Sequence, residues 1–241
     1  MQAQESSIEN PLLSLTVSEQ LVFLVESTPV NNLDNYSRER YLFAVITGCI
    51  ADLFILNKIH FENSLICLNN NPQQVSPYLT DIMKEILSNR EEKSILNILL
   101  SMNSHQMSHI ESMIVQNLID KKLLVRDHDG SFIFGKRFLH TNNNDFRFNL
   151  FDVLKDRLNA TKKPPKELTL LLTLLNEIDF LPALFNSPHD LDYSHKHLQT
   201  FIKHDNIAKL LARAIQNEMK LKNLDKMPHH QGGGLSIGRI F

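Results

Sequence analysis

The sequence predicts an all-α fold, a predominantly helical single domain that carries a small β-hairpin. Apolar residues recur with a helical period through most of the 241 residues. A capped helix start is legible near the N-terminus, and the chain holds only seven glycines and no tryptophan, which argues against a large sheet or a glycine-rich nucleotide fold. With 42% hydrophobic residues the chain can bury a sizeable core within single-domain length. The expected organisation is a flexible segment over 1–12, the helical domain over 13–222 and a flexible tail over 223–241.

The first helix is expected over 16–26. Thr16 stands as N-cap and Glu19 three residues on, the reciprocal arrangement that satisfies two free backbone donors. The second, over 37–56, contains the run from Tyr41 to Leu56, apolar or small except for Thr47 and Asp52. A membrane span needs about 20 apolar residues. The run is therefore read as a helix buried on nearly all sides of the domain. Gly48 and Ala51 allow a neighbour to approach closely, and Asp52 must find a partner. Lys58 to Phe61 reads as a strand, and Cys67 lies in another.

Further helices are expected over 76–88, 91–103, 105–121, 145–160, 165–178, 190–203 and 206–222. Pro164 and Pro165 mark a helix start, where a missing backbone donor costs least. Between the fifth and sixth helices, Leu124 to Phe134 alternates as a strand pair around Asp129-Gly130, a dipeptide that supplies the positive φ angles of a tight hairpin.

Charge is distributed unevenly. Residues 1–37 hold five acids and no Lys or Arg, whereas between 136 and 166 eight basic residues outnumber the acids Asp145, Asp152 and Asp156. Such a run forms either a solvated helix face or a surface for anions. Two helices followed by a hairpin also suggest a winged helix, but residues 104–119, where a recognition helix would lie, contain no Lys or Arg, so nucleic acid is not an expected partner. His105 with His109, and His195 with His197, lack further ligands at zinc-site spacing, and Gly232 to Gly234 lacks the flanking strand and helix of a phosphate loop. No nucleophile elbow or paired carboxylate motif is present in the sequence. The expectation is a non-enzyme with no cofactor and no metal. The opening MQAQESSIENPLL has no basic and then apolar leader pattern, and two cysteines without such a leader fit free thiols in a cytoplasmic setting.

Leu15 to Leu24, Gly48 to Leu56 and Lys58 to Phe61, followed by Asn117 to Leu124, a hairpin at Val125 to Phe138 and Leu168 to Phe185, resemble in order and spacing the Golgi phosphoprotein 3 family. The resemblance spans roughly residues 12–222. It implies a helical, peripheral membrane protein that holds the head group of phosphatidylinositol 4-phosphate and gathers protein clients. The family's pocket uses a tryptophan, an arginine before the glycine of the buried helix, and two arginines three apart on the helix before the hairpin. An ungapped alignment places Arg38, Thr47, Ser108 and Glu111 at those positions, so this chain is a divergent member by resemblance.

The remaining candidates for a lipid head group or other anion are Arg38, Arg40, Lys136 and Arg137. Phe132, Ile133 and Phe134 are candidates for contact with a membrane or partner, or, alternatively, for packing onto the helical body. The functional expectation is a non-catalytic adaptor, peripheral on an anionic membrane lipid and bound to a protein partner, with oligomerisation through the hairpin; the alternative is a protein-interaction module that has lost lipid binding.

Overall fold

The computed structural model describes residues 15–28, 35–71, 74–87, 93–126, 139–140, 144–160, 163–185 and 187–225. Among these the chain is mostly helical. The expected segment 1–12, residues 226–241 of the expected tail 223–241, the turn at Asp129-Gly130 and the hairpin tip all lie outside the described residues.

Helix α1, Val17–Ser27, opens on the expected capping box: Glu19 N–H donates to Thr16 Oγ1 (3.3 Å), and Thr16 N–H donates to Glu19 Oε2 (3.0 Å). Glu19 does more than cap. Its carboxylate also accepts from Asn117 and from Lys121 Nζ (2.7 Å), which ties the start of α1 to a later helix.

Helix α2, Asn35–Ile55, is the centre of the domain. Every residue from Tyr41 to Leu53 is buried, as the apolar run requires. No described helix is long and apolar enough to cross a membrane. Around α2 pack α1, α3 (Pro77–Leu87), α4 (Ile95–Ser101), α5 (Ser104–Asp120), α7 (Lys166–Glu177) and α9 (Asn206–Asp225). Helices α6 (Asn144–Asn159) and α8 (Pro188–Lys203) pack on each other, and a short 3-10 turn, Leu181–Leu184, contacts both.

Gly48 is where α2 meets its neighbours most closely. A Cβ built there would lie 3.3 Å from the Cα of Ser18 and 3.4 Å from Leu174 Cδ1, so α1 and α7 both approach at that turn. The expected close helix contact is present.

Strands β1 (Ile59–Glu62) and β2 (Leu65–Leu68) form a hairpin with a two-residue loop. Asn63 (φ 50°) and Ser64 (φ 68°) are both left-handed, which matches the twist of a tight hairpin. A third strand, β3 (Lys93–Ser94), pairs antiparallel with β2. This corrects the helix expected over 91–103. Lys93 and Ser94 join the sheet, and α4 begins only where Ser94 Oγ accepts from Asn97 N–H (3.2 Å) as an N-cap.

The second hairpin differs from expectation in register. Strands β4 (Val125–Arg126) and β5 (Leu139–His140) pair Val125 with His140 and Arg126 with Leu139. A two-residue turn at Asp129-Gly130 in unbroken register would have set Val125 opposite Phe134. Helix α9 also runs to Asp225, past the expected end at 222, and starts where Asp205 Oδ1 accepts from the N–H groups of Ile207 (3.0 Å) and Ala208 (3.1 Å).

Candidate functional site

The last turn of α1, the first turns of α2 and the middle of α5 meet around one guanidinium. Arg38 on α2 donates through both Nη atoms to the two oxygens of Glu111 on α5, with Nη1 to Oε1 at 2.8 Å. Its Nη1 also lies 3.9 Å from Glu26 Oε1 on α1. Below them the guanidinium sits 5.1 Å from the ring centre of Tyr41, whose hydroxyl donates to Glu26 Oε1 at 3.4 Å. Arg38 keeps 40% of its side chain exposed, whereas Glu111 keeps 4%. The planar fork of arginine matches a carboxylate bidentately, and here that match is satisfied within the chain.

The electrostatics follow from burial. Desolvation pushes the Glu26 carboxyl up to about 7, the adjacent Glu111 pushes the same way, and Arg38 opposes. Two carboxyls beside a single guanidinium thus favour a bound proton on Glu26. Burial, the largest single influence, would lower the Arg38 pKa, but the hydrogen bond and charge of Glu111 together with the groups around it outweigh burial and raise it. Burial also drives the Tyr41 phenol far up, so it remains a donor.

Arg40, the second expected anion ligand on this helix, belongs to a different pair. It bonds Asp179, beyond the end of α7. Residues two apart on a helix point away from each other, so Arg38 and Arg40 do not converge on one anion. Near Asp179, Glu177 accepts from Gln216 Nε2 at 3.0 and 3.1 Å. Burial raises its pKa against the pull of that hydrogen bond.

Of the other positions aligned with the family's pocket, Thr47 is fully buried in α2, and its hydroxyl has no hydrogen-bond partner among the described residues. Ser108 is half-buried on α5, one turn before Glu111. Neither offers a cation. Lys136 and Arg137, together with Phe132, Ile133 and Phe134, lie outside the described residues. His105, His109 and His195 are exposed, and His197 bonds the carbonyl of Leu158 through Nδ1 at 3.1 Å.

An open groove of about 590 Å³ runs beside α3, lined by Lys58, Pro77, Thr80, Asp81 and Lys84 among others. Its polar groups serve the fold: Lys58 Nζ donates to Asn71 O (2.7 Å), Lys84 pairs with Asp81 (2.6 Å), and the Thr80 hydroxyl donates to Ser76 O (3.2 Å). A nucleophile would need an adjacent base, and Thr80 has a backbone carbonyl instead.

Sequence reasoning singled out Arg38 but missed Glu26 and Tyr41. Tyr41 reads simply as the start of an apolar run, and Glu26 as the polar end of a helix. Compared with protein-family models and with curated proteins, the chain matches none.

Proposed function

We propose that this chain is a non-catalytic adaptor that binds a protein partner, and that it meets anionic membranes by general charge attraction without recognising phosphatidylinositol 4-phosphate. The observation that carries the reading is the bidentate Arg38–Glu111 pair. A selective head-group site needs guanidiniums free to clamp a phosphate, and Arg38 is already clamped by a carboxylate that would repel one. Arg40 is engaged through one Nη with Asp179, a single and more exposed contact. The basic stretch of the sequence, with Lys136 and Arg137 next to Phe132, Ile133 and Phe134, supports a weak surface attraction. Each Lys or Arg near an anionic leaflet is worth about 1 kcal/mol.

Co-sedimentation with liposomes tests this. Vesicles carrying phosphatidylinositol 4-phosphate and vesicles carrying phosphatidylserine at equal total charge should bind the protein equally. Binding should fall steeply with salt and fall again in the Lys136→Glu, Arg137→Glu double variant, because the attraction decays over about 8 Å at physiological ionic strength. A clear preference for the phosphoinositide overturns the proposal.

A further inference from the structure

We propose that the β1–β2 hairpin is a binding site for one zinc ion, held by His60, Glu62 and Cys67. The site is built by the turn. Because the loop is two residues long and both residues are left-handed, the register is set at Glu62 opposite Leu65 and His60 opposite Cys67. Directly opposed side chains share a face of the ribbon, and Glu62, two residues from His60, shares it too. A ring nitrogen of His60, a carboxylate oxygen of Glu62 and the sulfur of Cys67 accordingly lie within 4.8 Å of one another. Around tetrahedral zinc, with bonds of about 2.0 to 2.3 Å, ligand atoms stand roughly 3.3 to 3.7 Å apart. Small rotations of exposed side chains cover the difference.

The second observation concerns how His60 is held. Its Nδ1 lies 2.7 Å from Asn69 Oδ1. The amide of Asn69 is oriented independently, since its Nδ2 donates to the backbone oxygen (3.2 Å) and side-chain oxygen (2.9 Å) of Asn57. With the nitrogen committed to Asn57, the oxygen faces the imidazole. Nδ1 must then carry the hydrogen, and Nε2 is left with the lone pair that binds a metal. A ligating histidine that donates its other N–H to an oxygen is the usual outer arrangement of zinc sites. Asn69 is a positioning residue in this scheme, and the Asn69 N–H bond to Lys58 O (2.8 Å) anchors it to the base of the hairpin.

The donor set chooses the metal. Magnesium and calcium take all-oxygen ligands, whereas one imidazole, one carboxylate and one thiolate suit zinc. Three protein ligands leave the fourth position to water or to a group from a partner.

The test uses the full chain, reduced and freed of metal, titrated with cobalt(II) as a spectroscopic stand-in for zinc. A thiolate-to-cobalt charge-transfer band should grow to saturation at one equivalent and be displaced by zinc. Cys67→Ser should abolish the band. His60→Gln and Glu62→Gln should each weaken cobalt binding tenfold or more, with metal-free melting unchanged because these side chains are exposed. Cys49→Ser, in the buried core, should leave the band in place. The proposal fails if no charge-transfer band forms on the folded protein, or if the band survives Cys67→Ser. It fails equally if either ligand variant binds as tightly as the parent, or if cobalt binds without a thiolate band, as at the sequence-adjacent His229 and His230.

Discussion

Ser18, at the start of α1, donates both its backbone N–H (3.1 Å) and its hydroxyl to one oxygen of Asp52, buried in the last turn of α2. The other oxygen of Asp52 accepts from the N–H of Val17 at 2.7 Å. A carboxyl from the central helix thus satisfies two of the free donors at the first turn of α1, alongside the capping box that α1 supplies for itself. Desolvation pushes Asp52 up to about 7, even though these hydrogen bonds pull the other way.

Removing that carboxyl should therefore be costly. Asp52→Ala leaves two buried N–H groups unpaired and the Ser18 hydroxyl with Thr16 Oγ1 (3.2 Å) as its remaining partner, and a loss on the order of 3 kcal/mol is expected. Asp52→Asn retains one oxygen and should lose less. Urea melts of the three proteins check this, and a change within about 0.5 kcal/mol for the alanine variant would mean that α1 does not depend on the contact.

One turn before Asp52, Gly48 leaves no room for a side chain. Its nearest neighbour, at 3.3 Å from a built Cβ, is the backbone of Ser18, which cannot rotate away as a side-chain tip could. Gly48→Leu should cost about 1 to 3 kcal/mol, as overpacking typically does. Lys220→Leu, at an exposed position of α9, is the control. Equal melting temperatures for the two variants would place α1 and α7 further from Gly48 than the structure does.

The helices were legible because each carries local information. Thr16 with Glu19 announces a start, and the uninterrupted apolar run from Tyr41 announces burial. The features that depend on partners distant in sequence were not. Lys93 and Ser94 sit where a helical pattern resumes, and only the unpaired edge of β2 draws them into a strand. Arg38 and Glu111 are 73 residues apart, so nothing local tells that one neutralises the other. His60 and Cys67 each read as strand residues, but they become neighbours only where Asn63 and Ser64 form a two-residue turn. That signal was present and weak, because Asn-Ser lacks the glycine that makes such turns obvious.

The cluster around Arg38 leads to a pH dependence whose sign can be stated. Glu26 rises from its ordinary 4.5 to about 7 on folding, with burial as the main cause and Glu111 adding to it. Between those values the folded protein holds a proton that the unfolded chain releases. The stability contributed by this group is thus complete below about pH 4.5 and is lost as pH rises through about 7. Glu26→Gln carries no titrating group, yet its amide can still accept from Tyr41 and donate to Glu111. Near pH 4.5 the variant and the parent should be similarly stable. At pH 8 the variant should be the more stable, by roughly 2 to 3 kcal/mol. Asp52 titrates in the same direction but is common to both proteins, so the difference between their denaturant midpoints isolates Glu26. A difference that stays constant from pH 4.5 to 8 would show that Glu26 folds without its proton, and that Arg38 neutralises both carboxylates.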